Sequence, residues 1–353
     1  MKIFVINPGS TSTKIAFYED AMCLWMDTQR YETNVIDCFE NIMKQEQFRY
    51  DEILKVLNAR GVQVRDFAAV VGRGGLMKPV TGGTYLVNDL MLEDLKTMKY
   101  GAHASNLGAP LAMRFAAENV PAFIVDPVVV DELVDEARLS GLPEIPRISI
   151  FHALNQKAVA RRAAADLKKP LSECNLIVAH MGGGISVGVH EKGRVIDVNN
   201  ALDGEGPMSP ERSGSLPIGG LIDLCFSGKY TLQEIRKMIN GKGGLVAHLG
   251  TNDMREAEKR ATSGEEQAIL VLDALVLQIA KEIGGAAAVL RGAVDAVVLT
   301  GGLAYSDNLC KRVSARASFI APILRYPGED EMQALAEGAI RVLHNEEAPL
   351  KYD

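Results

Sequence analysis

Residues 2–30 and 175–200 open in the same order, and this repetition constrains the fold more than any other feature of the 353-residue chain. KIFVIN predicts a strand, PGSTS a turn, TKIAFYE a second strand and MCLWMDTQ a third. Later, NLIVAHM predicts a strand, GGG a turn, ISVGVHE a strand, KG a tight turn and RVIDVNN a strand. The echo continues. DFAAVVGRGG (66–75) and DAVVLTGG (295–302) are each an apolar run ending in a glycine pair. Parallel strands buried on both faces have that pattern, with glycine where the backbone passes close to something. The duplication predicts an α/β protein of two homologous domains, each an antiparallel start feeding parallel strands and helices.

The join is expected in SGLPEIPRIS (140–149), which has two prolines and no period. The domains are therefore expected at 1–147 with about 333–353, and at 148–332. A helix is expected over 263–291, with Ser263 and Glu266 as its capping box. Ile269, Leu272, Val276, Ile279 and Ile283 would form one face. Apolar character all round predicts a central, buried helix, with Gly284 and Gly285 allowing close packing. The tail HNEEAPLKYD reads as a solvated end.

Composition narrows the function classes. The net charge is −7, which argues against nucleic acid or an anionic membrane as partner. The longest apolar stretch, AILVLDALVLQIA (268–280), is too short to span a bilayer. The first residues run straight into a strand without a secretory pattern. The five cysteines are scattered with no CxxC pair, as expected for free thiols in a reducing cytoplasm.

Glycine turns between antiparallel strands expose backbone N–H groups that can approach phosphate oxygens. NPGSTSTK (7–14) adds Asn7 and the hydroxyls of Ser10 and Ser12; HMGGGIS (180–186) adds His180 and Ser186. Two such hairpins facing each other across a cleft would grip a polyphosphate from both sides. LTGGLAYS (299–306) follows a further strand. Neither GxGxxG nor GxxxxGK[ST] occurs, so Rossmann and Walker readings have no support.

The paired hairpins resemble the phosphate motifs of the sugar kinase, heat-shock chaperone and actin superfamily. Within it, VINPGSTSTK, FHALNQKAV, AHMGGGISV, ERSGSLP, DAVVLTGGL and GEDEMQALAEGA resemble, in order, the motifs of the acetate and butyrate kinases. Gly182–Gly184, Gln156 and the Leu303–Tyr305 stretch depart from the acetate kinase pattern and look like butyrate or branched-chain fatty acid kinases. The resemblance implies two ribonuclease H-like domains of the actin-like ATPase fold around a central nucleotide cleft. It also implies ATP/ADP and Mg²⁺ as cofactors, a short-chain carboxylic acid as substrate, and a homodimer or larger assembly.

A carboxylate is already ionised at pH 7 and needs no general base. The site should instead supply Arg, His, backbone N–H groups and a metal to steady charge on the transferring phosphoryl. Arg73 leaves a buried strand beside two glycines; it faces either a cleft or a surface salt bridge. By resemblance Arg73 holds the substrate carboxylate, and His103 lines the acid pocket. Arg212 steadies the phosphoryl, and His180 donates to the γ-phosphoryl, with His152 supporting it. Asn7, Ser10, Ser12, Lys14, Gly182, Gly183, Gly184, Gly301 and Gly302 are implied to bind nucleotide phosphates. Asp126 is implied beside the metal and Arg. Asn7 and Glu331 are implied as metal groups, with Glu329 and Asp330 as neighbouring candidates. LMKPV (76–80) and DPVVV (126–130) would wall the acyl pocket. The reading is an ATP-dependent kinase of butyrate or a branched relative, by direct in-line transfer. Acetate or propionate kinase is the alternative in the same class, and an ATP-driven chaperone-like module the alternative in another.

Overall fold

The computed structural model describes residues 1–117 and 119–353. They form two compact units, Met1–Val130 with Asp330–Asp353, and Asp131–Glu329. The proline-bearing segment 140–149 lies inside the second unit and is not the join. Arg147 pins it there, donating to the Ala137 and Val198 carbonyls and to Asp197 at 2.9 Å each. The chain passes between units at 130/131 and 329/330.

In the first unit, β1 (Lys2–Pro8), β2 (Ser12–Glu19), β3 (Met22–Arg30), β4 (Ala69–Arg73), β5 (Thr84–Leu86), β6 (Ala122–Val125) and β12 (Leu350–Lys351) form one sheet in the order β12-β5-β6-β4-β1-β2-β3. β1 and β4 are continuous apolar strands buried on both faces: β1 runs antiparallel to β2 with Ile6 opposite Ile15, and parallel to β4 with Val5 opposite Val71. Phe4, Ile6, Ile15, Phe17 and Val70 pack into the core of this unit beside Phe67 and Phe115.

The second unit repeats the plan. β7 (Asn175–Met181), β8 (Ile185–Glu191), β9 (Arg194–Val198), β10 (Ala296–Gly301) and β11 (Ile323–Pro327) are ordered β11-β10-β7-β8-β9. β7 is antiparallel to β8 and parallel to β10, with Val178 opposite Val298. The duplication extends to a defect in the ladders. The β2–β3 register shifts between Phe17 and Tyr18, and the β8–β9 register between Val189 and His190. A bulge at the same place in both hairpins bends both third strands alike.

Four local expectations are corrected. The long helix is Glu266–Val289 and Ser263 does not cap it; the Ser263 hydroxyl donates to the Arg260 carbonyl and closes the preceding helix, Met254–Thr262. The long helix is buried on one face only: Leu272, Val276, Ile279 and Ile283 lie inside, whereas Ile269, Leu270, Leu277 and Val289 are exposed. Gly284 and Gly285 face open space. The tail is also not a free end. Leu350 pairs with Tyr85, and the Tyr352 hydroxyl donates to Asp94 Oδ2 at 2.7 Å with the ring 1% exposed.

Candidate active site

Each unit carries one polar cluster at the ends of its β1–β2 or β7–β8 hairpin. In the first unit, β4 delivers Arg73. Gly72 lets this happen: a Cβ there would lie 2.1 Å from the Gly108 carbonyl oxygen, so only glycine permits the helix Gly108–Phe115 to pack so close. The Arg73 guanidinium emerges one-third exposed and pairs with Glu331 Oε1 at 2.6 Å. Glu331 sits in the first turn of the helix Glu331–Leu343, where the helix dipole favours a carboxylate. Its other oxygen accepts from Asn7 Nδ2 at 2.8 Å. Asn7, Arg73 and Glu331 are thus brought together.

His103 stands near them. Its Nδ1 lies 2.8 Å from the Ser105 hydroxyl and accepts from the Ser105 N–H, which caps the short turn Ala104–Leu107. Partial burial of the ring, then the neighbouring Arg73 charge, lower its pKa, which keeps the imidazole neutral at pH 7. Asp126 lies in the same unit. It is buried at φ +38°, its Oδ1 accepts from the Gly83 N–H at 2.7 Å, and its own N–H donates to the Gly83 carbonyl. The two stretches expected to wall an acyl pocket lie side by side, with Val80 bridged to Val130. At the hairpin, Ser10 and Lys14 are exposed and Ser12 half-buried. A residue that the motif reading passed over, Arg49, closes the back of this turn with hydrogen bonds to its carbonyl oxygens.

In the second unit, Gly182–Gly184 form the β7–β8 turn, closed by Gly182 N–H donating to the Gly184 carbonyl at 2.9 Å. A Cβ on Gly184 would fall 1.9 Å from Arg212 Nη1, so the glycine vacates the space the guanidinium occupies. Arg212 Nη1 donates to the Ala201 carbonyl at 2.7 Å, and burial lowers its pKa without removing its charge. The Ser209 hydroxyl, missed by the motif reading, donates to the Gly183 carbonyl at 2.5 Å and accepts from the Arg212 N–H.

His180 is fully buried at the end of β7, held between Asn155 Oδ1 at 2.7 Å and Glu329 Oε1 at 3.0 Å from its two ring nitrogens. It does not lie open over the turn. His152 stacks on it at 3.7 Å with nearly parallel planes and bonds Ser186 through Nδ1. Gln156 is buried behind them, donating to the Ser186 carbonyl and hydroxyl and meeting His190 Nε2 at 3.1 Å. At the end of β10, Gly301 adopts φ +86° against the Met181 backbone. Gly302 beyond it is open. A groove of about 920 Å³ begins there, lined by Gly302, Leu303, Tyr305 and Asn308 on one side and Asn252 and Arg255 on the other.

No group of three or more His, Cys, Asp or Glu side chains with metal-binding geometry occurs among the described residues. A magnesium ion carried on substrate phosphates would need only one or two protein oxygens. Both oxygens of Glu331 are engaged here, by Arg73 and by the Asn7 amide.

The comparisons agree with this architecture. Acetate kinase from Porphyromonas gingivalis superposes with a TM-score of 0.80 at 19% identity, covering 96% of this chain and 98% of that one. A propionate kinase from Francisella tularensis gives 0.73 at 20% identity, covering 95% and 98%. The fold is thus the actin-like ATPase fold of these kinases. An acetokinase family model matches residues 145–320. The chain is 54% identical over 352 residues to butyrate kinase 1 of Clostridium acetobutylicum and 55% identical to butyrate kinase 2, with 99% of every chain covered. It belongs to the acetokinase family.

Proposed function

We propose that the chain transfers the γ-phosphoryl of ATP to butyrate, or to a branched acid of similar size, giving an acyl phosphate and ADP, reversibly. The observation that carries this is identity above half, over nearly the full length, with two butyrate kinases. The chemistry of both clusters suits it. Arg73 offers a fork to the acid's carboxylate in place of Glu331, with neutral His103 beside it. A carboxylate oxygen attacks the γ-phosphorus in line as the bond to the bridging oxygen breaks, and that oxygen leaves on ADP. No proton need move. Arg212 and the Gly182–Gly184 N–H groups stabilise charge on the transferring group. His180, stacked on His152, would turn from Glu329 to the γ-phosphoryl. Asp126 sets the loop beside Arg73, and the hydroxyls of Ser10 and Ser12, with Lys14, meet phosphate oxygens.

The groove at Gly302 and Tyr305, just beyond Gly301, has the size and the exposed ring to take an adenosine. Glu331 and Asn7 would hold a magnesium ion together with the phosphates, and the ion would neutralise phosphate charge. We further propose a cytoplasmic homodimer or larger assembly. Five free thiols support the compartment, and the exposed apolar stripe Ile269, Leu270, Leu277 and Val289 supports the assembly. Among the described residues no helix is long and apolar enough to cross a membrane. The test is kcat/KM over straight and branched acids of two to five carbons. One methylene is worth about 1–3 kcal/mol, so butyrate or a branched acid should exceed acetate at least tenfold. A preference for acetate would refute the assignment.

A further inference from the structure

The helix Glu46–Ala59 turns one face inward, and that face reads Arg49, Ile53, Leu57. Two of these are ordinary core residues. The third is a guanidinium with no exposed surface. Buried charges are normally paired with an opposite charge, yet no carboxylate lies within ion-pairing distance of Arg49 among the described residues. Its partners are neutral. Nη1 donates to the carbonyls of Gly9 (2.8 Å) and Ser12 (2.9 Å) and to Thr13 Oγ1 (3.0 Å). Nη2 donates to the Ser10 carbonyl at 2.9 Å, and both Nη2 and Nε donate to Gln45 Oε1. The Tyr31 ring lies 5.0 Å from its Cζ.

Three carbonyl groups of one four-residue turn are therefore committed to a single cation behind it. The Gly9 N–H closes the turn on the Ser12 carbonyl at 2.8 Å, and the N–H groups of Ser10 and Thr11 find no acceptor among the described residues. A turn with its carbonyls held on one side, solvent-facing donors at its tip and an uncompensated positive charge beneath is built to receive an anion.

We infer that Arg49 is a positioning residue for phosphoryl transfer: it fixes the 9–12 turn in its phosphate-accepting shape and supplies the positive charge behind it. The inference rests on the reading of this turn as a phosphate site. Arg49 touches no reacting atom; it acts through the turn.

The experiment follows hydrogen exchange in the peptide spanning residues 7–14 of the whole enzyme, with and without ATP and Mg²⁺, beside steady-state kinetics. In the wild type, ATP is expected to slow exchange there. If ATP binds but leaves this peptide unprotected, the phosphate reading of the turn fails and the inference with it. Arg49→Lys keeps a charge but cannot reach all five acceptors. It should lose the protection and lower kcat at least tenfold, with KM for butyrate within twofold. If the wild type is protected and Arg49→Lys equals it in protection and kcat, the inference is overturned while the turn's role stands. Gln45→Glu retains the acceptor for Nε and Nη2 and neutralises the cation, so it decides the matter even if Arg49→Lys does not fold. It should hold or raise the melting temperature while lowering kcat/KM for ATP at least fivefold. Unchanged kinetics in that variant overturn the inference.

Discussion

Gly184→Ala isolates the seat of Arg212. The glycine is not in the left-handed region, so its backbone accepts alanine; only the space is contested. The added Cβ would lie 1.9 Å from Nη1 and 2.6 Å from Cζ of Arg212. Restoring ordinary contact near 3.4 Å requires the guanidinium to move by about 1.5 Å, which breaks its 2.7 Å bond to the Ala201 carbonyl. A charged hydrogen bond contributes about 1.5–3 kcal/mol, and misplacement of a catalytic group by ~1 Å lowers rates about 100-fold. Gly184→Ala should therefore fold with a modestly lower Tm and lose kcat by about 100-fold, with KM for ATP little changed. Trapping acyl phosphate with hydroxylamine measures this. Gly183→Ala is the comparison one residue away: its Cβ would make ordinary contact, 3.5 Å from Glu211 Oε2, and leaves Arg212 seated, so its loss of kcat should be at least tenfold smaller than that of Gly184→Ala. If Gly184→Ala matches Gly183→Ala, Arg212 is not what the glycine makes room for, and its role in transfer is wrong.

Other outcomes follow from single contacts. Arg73→Ala should raise KM for the acid at least tenfold while leaving KM for ATP near its wild-type value; an unaltered acid KM would place the carboxylate elsewhere. Tyr352→Phe removes the hydroxyl bonded to buried Asp94 and should lower stability by about 1–3 kcal/mol without changing kcat, as thermal unfolding would report. Burial, then the Lys157 charge, push His190 down to about 3 from its ordinary 6.5. Below pH 6.5 the unfolded chain binds a proton that the native state refuses, so wild-type stability falls with pH by up to about 1.4 kcal/mol per unit. His190→Gln lacks that slope; its deficit against wild type should shrink from pH 7 to pH 4.5, and a constant deficit would contradict the shift.

The duplication was legible because period-two apolar alternation and glycine turns are local signals. β1–β2–β3 and β7–β8–β9 form as their residues predict, and VVGRGG does need glycine where Gly72 meets Gly108. Long-range decisions were not legible. The tail pairs with β5 because Tyr352 finds Asp94, a residue far away in sequence. Ser263 looked like a cap by spacing, but the Arg260 carbonyl takes its hydroxyl. His180 was visible as a histidine before glycines, while its burial depends on Asn155 and Glu329 from two other segments. Arg49 did leave a trace, an arginine at i−4 and i−8 to two core positions on a helix, which apolar pattern-matching passes over.

The central claim is that this chain moves a phosphoryl group from ATP onto a fatty acid carboxylate. The most direct measurement is to incubate purified protein with ATP, Mg²⁺, butyrate and hydroxylamine, and to quantify butyryl hydroxamate against ADP. Equal amounts of the two, with neither formed when the acid is omitted, are predicted. ADP without hydroxamate, or AMP in place of ADP, would contradict it.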